Sequence, residues 1–367
     1  YFRAESRRER SPHAPTDRPA SRVAMSGDAA VSAAVQRLLR GAALAQDTSD
    51  VQLLVAAVVA ALRVDDFYCV GVGDDASAAA CARDARCTWT YLRKGKRFCT
   101  HEFRVERLSD AEALALGDDE GVLRWGAENC AKYGMRARAP GTLPIVFDTF
   151  IFYNELELLE LRLNELDAVV DFFVVVEADR TFTYRRKPLH YAEHAEEFAL
   201  WHDQILHDVC ELPEAPAGAA DDYKRGWSRE HHQRRCIERV IKNLHGDADI
   251  VLLSDADEVP RREAVLLLKA CADAHALLDA TGVTLVQQQL AYTFYYELGE
   301  RSGWPGYNPW PGTVATTARR FLQMGTGKVR FAREAPGLPR VSDAGWHLSP
   351  FPFGSAARIV DKLESWA

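Results

Sequence analysis

The 367-residue chain is 47% hydrophobic and 27% charged, the balance of an ordinary globular protein with room for two or three domains. Its net charge of -8, with 45 Lys and Arg against 53 Asp and Glu, excludes nucleic acid as the main partner, because a phosphate track needs a dense basic face. The longest apolar candidate for a membrane span, 51–62, is interrupted by Gln52 and flanked by Asp50 and Arg63. At ~1.5 Å per residue it covers roughly 18 Å, against about 30 Å of hydrocarbon, and is too short to cross.

Residues 1–28 are rich in Arg, Ser, Pro and Ala without periodicity and read as a flexible lead. The chain opens on Tyr1, which leaves room for a signal or membrane anchor upstream. Residues 29–63 read as two alanine-rich helices separated by the polar run from Gln46 to Asp50. Residues 64–140 read as a small irregular module holding five of the eight cysteines: Cys69, Cys81, Cys87, Cys99 and Cys130. Zinc-ligand gaps are absent, so two bridges among Cys69, Cys81, Cys87 and Cys99 in an oxidising lumen are favoured over free buried thiols.

From Gly141 the pattern changes to strands alternating with helices, which predicts an α/β sheet over 141–367. Ile145–Phe152 is the first strand. Asn154 then suits an N-cap with Glu157 three residues on, and Leu156, Leu159, Leu163 and Leu166 share one helical face. Val169–Glu177 is a second strand, joined by a right-handed crossover. Ser228 suits the cap of a helix running to Leu244, a strand follows at Asp249–Ser254, and Val283–Leu290 and Tyr292–Leu298 add two more.

The Asp249–Ser254 run has no polar alternation, which suits a central strand covered on both faces. It ends abruptly in Asp255, Asp257 and Glu258 and is closed by Pro260. Ligands of open α/β sheets bind where such strands end. Two carboxylates one residue apart repel each other, so holding both there points to a hard divalent cation that bridges them to phosphate. A solvated acidic turn is the plainer alternative. Glu177, Asp179 and Arg180 stand at the end of the second strand, placed to meet a base or ribose. Trp227, Glu230, Arg234, Ile237, Ile241 and Leu244 share one helical face, so Arg234 belongs either to an ion pair with Glu230 or to a diphosphate contact. Tyr292, Phe294, Tyr295, Tyr296, Trp304 and Trp310 crowd among Gly and Pro, as flat faces for a sugar ring or as core. His347, beside Trp346, is a neutral-imidazole candidate for completing a divalent site with Asp257.

Together these pieces resemble glycosyltransferase family 17 over roughly Val146 to the end of the chain. The carriers are Asp148-Thr149-Phe150, Asn154-Glu155-Leu156, the run Leu159 to Leu166, Val175 to Thr183 with Lys187-Pro188-Leu189, Ser254 to Pro260, and Gly345 to Ser349. The resemblance implies a GT-A type nucleotide-diphospho-sugar transferase fold, a Rossmann-like mixed sheet flanked by helices. It implies inverting transfer of N-acetylglucosamine from UDP-N-acetylglucosamine to a mannose-containing N-glycan of a glycoprotein in β-1,4 linkage, with Mn²⁺, in the Golgi lumen or another part of the secretory pathway. Carried over by position, Asp257 ligates the metal, Asp255 meets ribose or the metal, His347 is a further ligand, and Glu177 and Asp179 hold the nucleoside. Glu297 and Asp343 are candidates for the acceptor base on position alone. Two departures stand out: Tyr184-Arg185-Arg186 replaces a glycine-containing turn, and Lys362 to Ser365 resembles the start of a further family segment, which implies a truncated catalytic domain. The rival readings are another UDP-sugar or acceptor on the same fold, and a glycan-binding protein without catalysis.

Overall fold

The computed structural model describes residues 87–91, 97–214, 222–291, 294, 297, 309–333, 335, 338–349, 360–362, 364 and 365. Of 87–91, 97–101 and 222–225 it gives the backbone only. The expected lead, the paired helices of 29–63 and the cysteines Cys69 and Cys81 lie outside the described residues, and so do the side chains of Cys87 and Cys99.

The first strands are β1 (Cys87–Tyr91) and β2 (Arg97–Arg104), followed by helices α1 (Asp110–Leu116) and α2 (Asp119–Asn129). Then come β3 (Val146–Ile151), α3 (Leu156–Leu166), β4 (Phe172–Glu177), the short α4 (His190–Glu193), β5 (Ile205–Val209) and the long α5 (Asp222–Leu244). The remainder runs β6 (Ile250–Leu253), β7 (Glu258–Pro260), α6 (Arg262–Ala270), α7 (Ala272–Ala280), β8 (Val283–Leu290), β9 (Trp310–Thr317), α8 (Ala318–Met324), α9 (Thr326–Ala332), β10 (Arg340–Ser342) and β11 (Gly345–Leu348). The strands form one 11-stranded mixed sheet in the order β1-β2-β10-β8-β9-β6-β3-β4-β5, with β11 pairing β7 and β8.

Both faces of the sheet are covered, and alternate strand residues feed two cores because strand side chains alternate with period two. Val146, Phe150, Phe173, Val175, Ile250 and Leu252 point to one face, where Leu159, Leu163 and Leu166 of α3 meet them. Phe147, Val174, Val176, Val251 and Leu253 point to the other, against Ile237 and Ile241 of α5 and Phe321 of α8. This explains the unbroken apolar run of β6, whose four residues are all buried. The α/β expectation holds, with one refinement: β6 lies between parallel β3 and antiparallel β9.

Several local expectations shift. Helix α3 starts at Leu156 behind Glu155, which makes no side-chain cap bond. Asn154 instead reaches Asp361, and Glu155 Oε2 accepts from the backbone N–H groups of Tyr153 and Asn154. Helix α5 begins at Asp222, well before Ser228. The boundary expected at 140 does not appear as a break in packing. β2 pairs in parallel with β10, Val122 and Trp125 of α2 join the same core as α3, and Cys130 is bonded to Cys271 at the end of α6. Residues 97–140 therefore continue the sheet and core of the domain that follows. A second disulfide joins Cys210 after β5 to Cys236 on α5.

The residue that ties this fold to the site is Arg162. It is wholly buried on the apolar face of α3, and its Nε and Nη2 each donate to one oxygen of the buried Asp148 carboxylate at 2.6 Å. Asp148 meets it because, on β3, it shares a face with Val146 and Phe150. The rest of the guanidinium donates to Ser254 Oγ and to the carbonyls of Asp255 and Glu258, at 2.5, 3.1 and 2.8 Å. One buried cation thus shapes the turn after β6.

Removing Arg162 alone, as Arg162→Leu, leaves Asp148 charged and unpaired and should cost about 3–5 kcal/mol. Arg162→Leu with Asp148→Leu should recover much of that loss, since a buried pair replaced by apolar groups is often near neutral; urea unfolding of both variants measures the difference. Replacing Cys130 and Cys271 by Ala, which opens a link across 141 residues of sequence, should lower stability by about 2–5 kcal/mol in the same assay.

Candidate active site

Parallel β3, β4 and β6 all end at one edge of the sheet, and a cavity of about 310 Å³ opens there, at the lower end of ligand-site volumes. Phe152 and Tyr153 after β3, Arg180 and Thr181 after β4, and Asp255 to Asp257 after β6 form its floor. The antiparallel β9 starts at this same edge, which brings in Trp310, and β11 ends there with His347.

The acidic turn is held from several sides. After Asp257 the chain enters β7, which pairs antiparallel with β11 so that His347 lies opposite Glu258. That approach is so close that a Cβ on Gly345 would lie 2.1 Å from the Val259 carbonyl oxygen, and Gly345 has φ 148°. Only glycine allows it. The Leu348 N–H donates to the Asp257 carbonyl at 2.8 Å. Glu258 is fully buried: Oε2 accepts from the Asp255 N–H at 2.9 Å, and Oε1 accepts from Trp310 Nε1 and from Arg333, each at 2.8 Å. The third acid of the motif is therefore a brace. His347 stacks on Trp310 with ring centroids 4.2 Å apart, its Nε2 lies 3.9 Å from Asp257 Oδ1, and its buried Nδ1 has no hydrogen-bond partner.

Opposite the acids stands a basic wall. Arg330 of α9 grips Asp255 with two nitrogens at 2.9 and 2.7 Å, and Arg234 of α5 bonds both Asp255 and Glu230. Arg234 thus takes both parts the sequence allowed: it pairs with Glu230 and lines the cavity. Burial raises the pKa of Asp255, but Arg234, Arg330 and Arg333 outweigh it and hold the carboxyl well below the usual range. Asp257 is likewise lowered overall: burial raises it, and Lys362 and His347 overcome that. The Lys362 ammonium lies 2.9 Å from Asp257 Oδ2 and 3.3 Å from Glu155 Oε1.

Asp255, Asp257, His347, Arg180 and Arg234 are thus brought together as the sequence reading expects. Glu177 is not with them. Its buried carboxylate accepts from the Tyr191 and Ala192 N–H groups at the start of α4 and from His207 Nε2, so it organises the element after β4. Asp179 is exposed, and its backbone carbonyl accepts from Lys187 N–H. The two base candidates also lie elsewhere. Asp343 sits in a left-handed turn, φ 52°, paired with Arg261 at 3.0 Å and Arg107 at 3.7 Å, and the exposed Glu297 forms a bridge to Leu290; neither lines this cavity. Of the aromatic run, Trp310 lines the cavity, Phe294 borders a second one with Trp346, and Tyr292, Tyr295, Tyr296 and Trp304 lie outside the described residues.

Sequence reasoning missed Arg330, Arg333, Glu155 and Lys362. Arg330 and Arg333 have no local signal, because α9 carries them to the site from a segment without a distinctive pattern. The departure at Tyr184 does have a local consequence: Tyr184 occupies the left-handed region that glycine would take freely, φ 70°, with Arg180 and Arg229 stacked over its ring at 4.4 and 4.7 Å.

Among the described residues, the one tight cluster of metal-capable groups is Cys210, His232 and Cys236. The Cys210–Cys236 disulfide takes both sulfurs, so this cluster is not a metal centre.

The match to the family model described as glycosyltransferase family 17 covers residues 125–367, about two thirds of the chain. Three curated relatives share the name beta-1,4-mannosyl-glycoprotein 4-beta-N-acetylglucosaminyltransferase: those of Homo sapiens and Rattus norvegicus are 34% identical over 122 residues, and that of Mus musculus is 33% identical. Each match covers 32% of this chain, which spans about a fifth (22%) of the length of those relatives. A crystal structure of 4-diphosphocytidyl-2C-methyl-D-erythritol synthase aligns with 56% of this chain and 90% of its own at 15% identity, with a TM-score of 0.29, too low to carry an argument. The ordered motifs around Asp148, Arg162, Asp255 and His347 all fall inside the family match, and the chain belongs to glycosyltransferase family 17.

Proposed function

We propose that this chain transfers N-acetylglucosamine from UDP-N-acetylglucosamine to a mannose-bearing glycan of a glycoprotein, with inversion, in a β-1,4 linkage. The observation that carries the reading is the strand-end cavity, in which Asp255 and Asp257 face Arg234, Arg330 and Arg333. Family membership and the names of the relatives supply the sugar and the acceptor class.

Within the cavity the residues divide the work. Arg330 of α9, Arg333 immediately after it, and Arg180 after β4 would neutralise a diphosphate, for which planar guanidinium groups are suited. The flat stack of Trp310 on His347 offers an apolar face for a sugar ring. Asp255, locked by two arginines, orients those arginines at the end of β6.

The donor set fits a divalent cation such as Mn²⁺ at Asp257 and His347. One is a hard carboxylate; the other is an imidazole whose buried Nδ1 is unpaired and whose Nε2 faces that carboxylate. Asp255 fits less well as a direct ligand, because both its oxygens are taken by arginine. When bound, such a cation would act as a Lewis acid for the departing diphosphate. Disulfides Cys130–Cys271 and Cys210–Cys236 support an oxidising, secretory-pathway lumen such as the Golgi, where such bonds persist. Among the described residues no helix is long and apolar enough to cross a membrane.

Calorimetric titration of UDP and UDP-N-acetylglucosamine, in Mn²⁺ and in EDTA, tests the site. Binding should weaken at least about tenfold, or ~1.4 kcal/mol, in EDTA and in Asp257→Ala. Equal affinity with and without the cation would sink the metal assignment, and no nucleotide binding by the folded chain would sink the transferase reading.

A further inference from the structure

Resting on that reading of Asp257, we propose that Lys362 is a tethered competitor for the cation position: it holds the acidic turn until a divalent cation displaces it. Its ammonium bridges two carboxylates that come from opposite sides of the cavity, Asp257 Oδ2 at 2.9 Å after β6 and Glu155 Oε1 at 3.3 Å before α3. Two acids converging on one positive charge define a cation position. A divalent ion on Asp257 and an ammonium within contact of the same carboxylate exclude one another by charge and by volume.

The way Lys362 is delivered favours exchange. Residues 360–362, 364 and 365 lie against the loops that follow β3 and β4. Asp361 accepts from Tyr153 Oη at 2.6 Å, and the Ser365 carbonyl accepts from the Thr183 N–H at 3.3 Å. The outer contacts are two long pairs, from Arg185 to Asp361 at 3.8 Å and to Glu364 at 3.6 Å, with side chains about half exposed. Such pairs contribute little and weaken with salt. The inner lysine is thus held by the two acids, while the strap of residues around it combines hydrogen bonds to Tyr153, Asn154 and Thr183 with long, half-exposed ion pairs. Because the ammonium is tethered, it competes at a high effective concentration, on the order of millimolar for a short link. A cation that takes Asp257 frees Glu155 Oε1 and releases the strap from the cavity mouth.

Calorimetric titration of Mn²⁺ alone into the full chain, with no nucleotide, reads this competition. Lys362→Met should bind Mn²⁺ at least tenfold more tightly than the unaltered protein, and Asp257→Asn should abolish the site in either background. Unchanged or weaker affinity in Lys362→Met, with Asp257→Asn still abolishing binding, overturns the competitor role and leaves the cation reading of Asp257 intact. Binding that survives Asp257→Asn overturns both. A second measurement uses the unaltered chain, so it does not depend on a variant folding: Lys362 should resist an amine-acylating reagent without Mn²⁺ and become modified, by mass spectrometry, at saturating Mn²⁺. Lys362 equally protected in both conditions overturns the proposal.

Discussion

Arg162 is the constraint from which the site follows. A guanidinium with no exposure to water is tolerable only if every donor is used, and here the donors go to one carboxylate, one hydroxyl and backbone carbonyls of a single turn. The turn cannot relax without stranding a buried charge, so residues 254–258 are fixed before any ligand arrives. Fixing them sets the direction of the Asp255 and Asp257 side chains and starts β7 in register with β11. That register then brings His347 to Asp257. A charge pair on the α3 face of the sheet thereby determines a constellation at its edge.

The site is also balanced electrostatically before it binds anything. Asp255 belongs to Arg234 and Arg330, Glu258 to Arg333 and Trp310, and Asp257 to Lys362. Burying these acids unpaired would cost several kcal/mol each, so the basic wall is a condition for the acidic motif to exist in a folded chain. The same arrangement sets what a ligand must do. Under the proposed function a dianionic group would draw the arginines toward itself, and a cation at Asp257 would replace Lys362. Charges of opposite sign entering together would disturb the balance least, and this is the physical basis on which the proposed function pairs a diphosphate with a divalent ion.

Much of this was legible along the chain, and what was not has a common cause. The strands β4 and β6 were readable because burial on both faces demands continuous apolar runs, β3 and β8 because β-branched and aromatic residues dominate at least their first half, and the leucine face of α3 because a helix covers one face of the sheet. Asp255 and Asp257 were readable because polar groups follow immediately on the β6 run, and His347 because it stands beside Trp346 in a segment that carries the family resemblance. Glu177 obeyed the same rule and yet turned away, since the free N–H groups of Tyr191 and Ala192 offered a buried carboxylate better partners than a ligand would. Arg162 did carry a signal: an arginine on a leucine face, with an aspartate inside an apolar strand 14 residues earlier, is a pair of buried charges that must meet. Arg330, Arg333 and Lys362 did not, because their role depends on which distant segments the topology returns to one edge.

That return is made by the reversed strand. In an all-parallel sheet every strand would end at the cavity, and only loops leaving the sheet could supply side chains. Here β9 runs antiparallel to both β8 and β6, so its first residue, Trp310, lies at the edge where β6 ends, while its far end feeds α8 and α9. Those two helices fold back beneath α5 in the second core and carry Arg330 and Arg333 to the acids. β11, parallel to β8, then closes the edge with His347 against Trp310. The mixed topology is therefore the means by which Trp310, Arg330, Arg333 and His347, all remote in sequence from Asp255 and Asp257, come to surround one acidic turn.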